Sequence, residues 1–199
     1  MSGVEMRPPG TLDRRVVVAE LLRDRGDLLV VSGLGAPTYD VAAAGDHDLN
    51  FYLWGAMGSA AMIGLGLALA QPSKPVLVIT GDGEQLMGMG ALASVAVKQP
   101  QNLTIAVLDN GQFGETGMQT SHTGYGVSLP EVASATGMPW SIEILDMPGV
   151  EDLRQRLRSN EPGPRFAAIR IKPENPDRVL PTRDGVELKN RFKSALGIS

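Results

Sequence analysis

The chain has 199 residues, 43% of them hydrophobic, and its 18 Lys and Arg against 22 Asp and Glu give a net charge of -4. This length fits one domain with a sizeable core, and the acidic balance excludes the basic footprint of a nucleic-acid-binding protein. The absence of cysteine from the sequence excludes disulfides, thiolate-bound metal centres and cysteine nucleophiles, and it is compatible with a cytoplasmic location.

Helical and strand patterns alternate along the chain, with Gly and Pro between them. The first helix is expected to begin after an N-cap at Thr11. Its apolar face is predicted to consist of Leu12, Val16, Ala19 and Leu22. In chain order the patterns predict a helix over residues 11–25, a strand over 27–32, a short helix over 39–44, a small-residue helix from about 58, a strand over 75–80, a helix over 90–99, a strand over 103–110, a helix over 129–137, a strand over 140–145, a helix over 149–160, a strand over 165–172 and a terminal helix over 183–197.

The apolar, β-branched runs at residues 76–79 and 103–108 are typical of strands covered on both faces in a parallel sheet. A helix lies between them, and right-handed crossovers of this kind build a doubly wound α/β fold, a mostly parallel sheet with helices on both faces. The glycine- and alanine-rich helix near residue 58 is expected to be buried against another backbone and not to cross a membrane. We expect one domain over residues 1–199, with 173–199 as a C-terminal extension and helix.

Glycine-rich loops follow three of the predicted strands, and the loop TGDGE places Asp82 between two glycines. An aspartate in such a loop is commonly a turn residue. Because ligands of parallel sheets bind at the carboxyl ends of the strands, however, Asp82 and Asn110 are expected to reach the same point. Carboxylate, carboxamide and carbonyl oxygens are ligands that Mg2+ takes while it also holds phosphate, and glycines let backbone amides approach that phosphate.

Gly81-Asp82-Gly83, followed after twenty-five residues by Asp109-Asn110, resembles the signature of thiamine diphosphate enzymes, in which GDG precedes a pair usually written Asn-Asn. The resemblance implies that Asp82 and Asn110 coordinate Mg2+ through their side chains and Gln112 through its main-chain carbonyl. Asp109 departs from the family pattern, at the position of the pair that does not carry the ligand.

The same resemblance implies contacts with thiamine diphosphate itself. The carbonyl of Gly55 would accept from the aminopyrimidine ring, and Met57 would be the apolar wedge that bends the cofactor. Gly83 and Glu84 would contact the diphosphate through their backbone. The implied cofactor-binding set is Gly35, Ala36, Thr38, Gly55, Met57, Gly81, Asp82, Gly83, Glu84, Asn110 and Gly114.

Residues 81–96 and 108–123 carry a closer resemblance, to the β subunits of sulfopyruvate decarboxylase and to the corresponding half of phosphonopyruvate decarboxylase. It implies a split, thiamine diphosphate-dependent 2-oxoacid decarboxylase. This chain would bind the diphosphate and Mg2+, and a pyrimidine-binding α subunit would complete the site in a heterotetramer or larger assembly. We therefore expect a small acidic 2-oxoacid substrate and no activity of the chain alone.

The loop after Asn110 contains two titratable residues, Glu115 and His122, that could donate a proton during the reaction or anchor an acidic substrate. Glu115 lies nearer the metal ligands in sequence, and His122 is equally explained as a solvated loop residue. The other histidine, His47, is not expected to be catalytic. Hydrogen bonds to a sulfonate or phosphonate could come from Gln119, Thr120 and Thr123.

Three alternative functions differ in their sequence requirements. The β subunits of 2-oxoacid:ferredoxin oxidoreductases share this module but typically carry cluster-ligating cysteines, which the chain lacks. Half of an acetolactate-synthase-like carboligase stays open, because it differs only in what the reaction intermediate meets next. A non-catalytic nucleotide- or phosphate-binding module would normally show GxxxxGK[ST] or GxGxxG before a helix, and neither stands in that context here.

Overall fold

A computed structural model describes residues 6–159 and 161–198. Six strands form one entirely parallel sheet in the order β2-β1-β3-β4-β8-β7, and β5 and β6 form a separate antiparallel hairpin. The strands are β1 (Leu29–Ser32), β2 (Asn50–Tyr52), β3 (Val76–Gly81), β4 (Leu103–Asp109), β5 (Gln112–Phe113), β6 (Gln119–Thr120), β7 (Trp140–Ile144) and β8 (Arg165–Arg170).

Helices cover both faces of this sheet. Within the described ranges, the α-helices are α1 (Arg14–Leu21), α2 (Ala36–Ala43), α3 (Ala60–Ala70), α4 (Asp82–Met87), α5 (Ala91–Lys98), α6 (Leu129–Ala135), α7 (Met147–Arg156) and α8 (Gly185–Ala195). One apolar core lies between the sheet and α3, α5 and α6, and a second lies between the opposite face and α1, α2 and α7. Helix α8 contributes Phe192 to the first core and Leu188 to the second.

This architecture confirms the predicted α/β class, a doubly wound parallel sheet with helices on both faces. The residues of β3 and β4 are buried along nearly their whole length, as their apolar runs predicted. Three features were not predicted, the edge strand β2, the short helix α4 and the hairpin β5-β6. Strands β2, β5 and β6 have only two or three residues each and α4 has six, too few to show a periodic pattern.

The predicted start of the first helix is wrong, and its predicted apolar face is wrong at Val16 and Ala19 but correct at the buried Leu22. Asp13, not Thr11, is the N-cap, because its carboxylate accepts hydrogen bonds from the amides of Arg15 and Val16. Leu12 precedes the helix and forms a bridge with Ile171. With the helix beginning at Arg14, the buried apolar face moves to Val17, Val18 and Leu21, while Val16 and Ala19 are exposed.

Residues 173–184, here called the strap, run from the end of β8 to the start of α8 without regular secondary structure. The strap is fixed by contacts with distant loops. Asn175 donates to the carbonyl of Gly114 at 3.0 Å, and Trp54 donates from Nε1 to the carbonyl of Thr182 at 2.8 Å. The strap therefore ties the loop after β4 to the loop before α3, on the side of the sheet where the strands end.

No helix within residues 6–159 and 161–198 has the length and hydropathy that a membrane crossing requires. The sixteen-residue apolar stretch of residues 55–70 is divided between a loop and α3, as the sequence predicted. Asn160, the last residue of the predicted helix over 149–160, lies outside the described residues.

Candidate functional site

A cavity of about 270 Å³ opens at the carboxyl ends of β3 and β4. It lies where parallel α/β sheets bind their ligands. The lining comprises Arg14, Leu34, Gly35, Ala36, Pro37, Tyr39, Met57, Gly81, Asp82, Gly83, Glu84, Leu108, Asn110, Gln112, Phe113, Gly114, Glu115, Thr116 and Asn175. Loops that are far apart in sequence meet here because their preceding strands are neighbours in the sheet.

Asp82, the first residue of α4, is 2% exposed, and its Oδ2 atom is held by two hydroxyl groups. Ser121 donates to Oδ2 at 2.5 Å, and the Thr123 hydroxyl lies 3.1 Å from the same atom. Thr123 also lies 2.7 Å from Oδ1 of Asp109 and 2.9 Å from the hydroxyl of Ser121. The hydroxyls of Ser121 and Thr123 carry one proton each, so together they can donate to only two of these four contacts.

The pKa of Asp82 reflects this shortage. Burial, and then the nearby negative charge of Asp109, raise it from 3.8 to about 6, although the hydroxyl groups of Ser121 and Thr123 act in the opposite direction. A cation at the carboxylate would offset both causes. The site therefore favours either a proton or a bound metal on Asp82.

Asn110 and Gln112 form a turn directly after β4. The side-chain oxygen of Asn110 accepts a hydrogen bond of 2.9 Å from the amide of Gln112. Ser121 donates to the carbonyl of Gly111, so the adjacent pair Gln112 and Thr120 is a non-hydrogen-bonded pair of the hairpin. The main-chain carbonyl of Gln112 is consequently not used by the ladder. The side-chain Oε1 of Gln112 is also buried without a hydrogen-bond partner among the described residues.

Two glycines shape the floor of the cavity beside Asp82. A Cβ at Gly81 would meet nothing closer than the Cγ of Pro37 at 3.9 Å, so the missing side chain leaves open space in the cavity. A Cβ at Gly83 would come within 2.7 Å of the ring of Phe113, so only glycine fits beneath that ring. Backbone groups can thus approach a ligand closely at this point.

Met57 also lines the cavity and is 40% exposed. Its Cε lies 3.8 Å from the position of a Cβ on Gly83. The loop that carries Met57 approaches the end of α4 backbone to backbone, since a Cβ at Gly88 would lie 2.0 Å from the carbonyl oxygen of Gly58. Gly58 also has a φ of +90°, which favours glycine.

Glu84 fixes the loops around the cavity through its side chain. Its carboxylate accepts from the hydroxyl of Thr80 at 2.9 Å and from the amide of Ala60 at 3.4 Å. Burial raises the pKa of this carboxyl, and hydrogen bonding with Thr80 and with backbone amides acts against the rise. The contact of the Glu84 backbone with a diphosphate stays a prediction.

The donor set fits a magnesium ion bound with a diphosphate. It supplies one carboxylate, one carboxamide oxygen and one free carbonyl, and Mg2+ completes such a set with water and phosphate oxygens. No group of three His, Cys, Asp or Glu side chains suited to a metal occurs in the part of the chain that the structure describes.

The other predicted cofactor residues fall into two groups. Gly35, Ala36 and Gly114 line the cavity. Thr38 is fully buried beneath it, where its hydroxyl bonds to Ser32 and to the carbonyl of Gly33. Gly55 is exposed and lies outside the lining, two residues before Met57.

The two predicted catalytic residues lie in different places. Glu115 lines the cavity above Gly35, and its carboxylate is 2.9 Å from Arg178 of the strap. His122 is exposed and is not part of the lining. His47 also lies outside it, with Nδ1 accepting from the amide of Leu49.

The predicted anion ligands of the loop do not line the cavity either. Gln119 bonds to Thr116 within its own loop, and the hydroxyl of Thr120 faces the sulfur of Met6. The hydroxyl of Thr123 contacts the buried carboxylates of Asp82 and Asp109.

Several residues of the site were missed at the sequence level. Ser121 was overlooked although it stands between predicted residues, and Asn175 lies in a segment with no periodic pattern. Arg14 was taken as part of an ordinary helix, yet it is 5% exposed and lines the cavity. A signal did exist in part, because the short polar segment before the run VVVA includes Asp13, a good N-cap that places Arg14 in the first turn.

Comparison with known proteins assigns the family. Residues 34–169 match the family described as "Thiamine pyrophosphate enzyme, C-terminal TPP binding domain". The chain is 32% identical over 191 residues to the sulfopyruvate decarboxylase subunit beta of Methanococcus maripaludis, covering 93% of this chain and 98% of that one. It is 37% identical over 179 residues to the phosphonopyruvate decarboxylase of Streptomyces viridochromogenes, covering 89% of this chain but 44% of that protein.

A solved structure shares the fold. A putative thiamin diphosphate-dependent enzyme from Mycobacterium smegmatis superposes with a TM-score of 0.68 at 21% identity, over 83% of this chain and 32% of that one. The chain spans less than two thirds of the length of several of the relatives that it matches. The chain belongs to the thiamine pyrophosphate enzymes, whose C-terminal TPP-binding domain it carries, and within them it groups with the sulfopyruvate decarboxylase β subunits and the phosphonopyruvate decarboxylases.

Proposed function

We propose that this chain is the diphosphate-binding β subunit of a split thiamine diphosphate-dependent enzyme that decarboxylates a small acidic 2-oxoacid, of the sulfopyruvate or phosphonopyruvate type. The observation that carries the proposal is the meeting of Asp82, Asn110, Gln112 and Met57 at one cavity. The names of the relatives support the reaction class, since the proteins matched are decarboxylases of these two substrates.

In this proposal Asp82 and Asn110 hold Mg2+ through their side chains, and Gln112 holds it through the carbonyl that the hairpin leaves free. The backbone around Gly81 would lie against the diphosphate, since the missing side chain leaves open space there, and Gly83 would let the ring of Phe113 pack beside it. When bound, thiamine diphosphate supplies the nucleophilic carbon and the electron sink that decarboxylation of a 2-oxoacid requires.

The remaining residues orient the ligand and handle a proton. Met57, which lines the cavity next to Gly83, would be the apolar contact that orients the bound cofactor. Glu115 is the titratable side chain at the mouth of the cavity and is the proposed proton donor, with Arg178 beside it as a counter-charge. His122 is a weaker candidate, because it lies outside the lining.

A partner subunit is part of the proposal, because thiamine diphosphate needs a pyrimidine-binding module and the chain matches less than half of the undivided phosphonopyruvate decarboxylase. Its surface also supports a partner. Helix α3 packs against α4 and against α5 on one face of the sheet. These helices and the turn between α4 and α5 expose large apolar side chains, namely Met62, Leu69, Met87, Met89 and Val97. Large exposed apolar surface commonly marks a protein interface.

The test uses the complex isolated from its native cells through a tag on this chain, compared with the chain alone. The complex is expected to release CO2 from sulfopyruvate or phosphonopyruvate only with Mg2+ and thiamine diphosphate, and the chain alone is expected to be inactive. Product analysis with pyruvate and an added aldehyde would detect carboligation instead. Decarboxylation by the chain alone at enzymatic rates would refute the split site.

A further inference from the structure

Arg14 is a buried arginine at the wall of the cavity. It is the first residue of α1, its side chain is 6% exposed, and it contributes to the same lining as Asp82 and Asn110. Among the described residues of that lining it is the one cationic side chain; the three others that carry charge are Asp82, Glu84 and Glu115.

The charge of Arg14 is only partly compensated. Its Nε donates to Oδ2 of Asp40 at 2.6 Å, and Nε of Arg15 lies 2.9 Å from Oδ1 of the same carboxylate. Two guanidinium groups thus share one buried carboxylate, so Asp40 alone cannot neutralise both of them. The charge of Asp13 also reaches Asp40, but the Asp13 carboxylate caps α1 through the amides of Arg15 and Val16. A buried guanidinium whose charge is only partly compensated is stabilised by an anion nearby.

Arg14 also has hydrogen-bond donors to spare. A guanidinium carries five N–H groups. Besides Nε, Nη1 has one contact, at 3.5 Å, with the carbonyl of Glu174, and Nη2 has none with the residues that the structure describes. Arg15, in contrast, donates from Nη1 to the carbonyl of Tyr39 and from Nη2 to the carbonyl of Asp177. Arg15 itself is not among the residues that line the cavity.

The position of Arg14 relates it to the diphosphate side of the cavity. Asp40, its partner, lies one turn of α2 after Ala36, and Pro37 of the same helix is the nearest neighbour of the open space at Gly81. Ala36, Pro37 and Gly81 all line the cavity with Arg14. An oxyanion that fills the space beside Gly81 is therefore within the region that Arg14 lines.

We propose that Arg14 binds an oxyanion of the bound ligand through the N–H groups of its guanidinium, with Asp40 as its positioning residue. The inference rests on the proposed function. A phosphoryl oxygen of the cofactor and an acidic group of the substrate share the required chemistry, and the experiment distinguishes them. Arginine binds such planar or tetrahedral oxyanions with two parallel hydrogen bonds.

The experiment compares Arg14→Gln with Arg15→Gln in the isolated complex. Each variant removes one of the two guanidinium groups that contact Asp40. The two variants therefore lose the same kind of ion pair and differ only in whether the lost side chain lines the cavity. Calorimetric titration with thiamine diphosphate at fixed Mg2+ measures the cofactor Kd, and Arg14→Gln is expected to raise it by roughly ten- to a hundredfold. Arg15→Gln is expected to change it by less than about threefold, since Arg15 contacts only protein.

A second arm measures KM at saturating cofactor for sulfopyruvate and for pyruvate, which lacks the sulfonate group. If the cofactor Kd of Arg14→Gln is unchanged and KM rises only for sulfopyruvate, the oxyanion is the acidic tail of the substrate. Arg14→Lys, which keeps the charge on Asp40 but loses the planar fork, is expected to bind with intermediate affinity. It also provides the test if Arg14→Gln does not fold.

The proposal is overturned if Arg14→Gln and Arg15→Gln have the same cofactor Kd and the same KM values. Failure of the proposed function has a different signature. In that case the unaltered complex shows no Mg2+-dependent binding of thiamine diphosphate, and Asp82→Ala makes no difference to the titration.

Discussion

Arg170, at the end of β8, donates a hydrogen bond of 2.9 Å to the carboxylate of Asp109 at the end of β4, and both side chains are buried. Asp109 stands where the family signature usually has asparagine. The buried arginine beside it compensates the extra negative charge of this chain, while Oδ1 of Asp109 accepts from the amide of Gly111 and shapes the turn that carries Asn110.

Asp109→Asn should therefore destabilise the fold without removing the metal ligands. Loss of the carboxylate leaves the charge of Arg170 buried, and the free energy of unfolding is expected to fall by about 3 kcal/mol. Urea titration measures the change. Glu143→Gln is the control, because it removes the carboxylate of the partly exposed pair Arg7 and Glu143 and is expected to change the stability by less than about 1 kcal/mol. Equal effects of the two variants would contradict a buried structural pair.

The pKa of Asp82 predicts a pH dependence of the metal-free protein. The folded pKa of about 6 exceeds the ordinary 3.8, so this carboxyl contributes stability that is fully present below about pH 4 and lost as the pH rises through 6. In chelator, Asp82→Asn should be more stable than the unaltered chain at pH 7.5 by up to about 3 kcal/mol. At pH 4 the difference should vanish. A difference independent of pH would contradict the raised pKa.

The open space at Gly81 predicts that a larger side chain at this position leaves the fold intact but weakens cofactor binding. In Gly81→Ala the added Cβ meets no protein atom closer than 3.9 Å and the backbone is extended, so the melting temperature should stay unchanged. The methyl group enters the cavity beside Asp82 and should weaken Mg2+-dependent cofactor binding by about tenfold or more. Gly185→Ala at the start of α8, where a Cβ would meet nothing within 4 Å, is the control and should bind normally. Normal binding by Gly81→Ala would mean that no ligand fills this space.

Asn175 predicts a role for the strap in holding the loop after β4. Its amide nitrogen donates to the carbonyl of Gly114 and contacts the sulfur of Met118. Asn175→Ala should loosen this loop and raise the cofactor Kd by a few-fold, at about 1 kcal/mol per lost hydrogen bond. Glu174→Ala is the control, because the backbone carbonyl of residue 174, which contacts Arg14, is retained. Its cofactor Kd should be unchanged. Identical titration curves for both variants would exclude the strap from the site.

Much of the fold was predictable because its signals are local. The apolar runs of β3 and β4 could only be buried strands, and their order with the helices leads to a parallel sheet. The start of α1 was missed because Thr11 and Asp13 are both acceptable caps, and only the pairing of Leu12 with Ile171 decides between them. That pairing joins residues far apart in sequence.

The candidate site was predictable where a motif marks it. Asp82 and Asn110 could be found because each follows an apolar strand at a recognisable spacing. Arg14 could not, since an arginine in the first turn of a helix is ordinarily solvated. Its burial results from Asp40 on α2 and from the strap, which are 26 and 160 residues away in sequence.

The central claim is that Asp82 and Asn110 anchor a diphosphate through Mg2+. Its most direct test is calorimetric titration of thiamine diphosphate into the isolated complex, with Mg2+ and with chelator, for the unaltered chain, Asp82→Ala and Asn110→Ala. The account predicts binding that requires Mg2+ and is lost in both variants while their far-ultraviolet circular dichroism stays unchanged. Equal cofactor affinity of the unaltered chain and Asp82→Ala would contradict it.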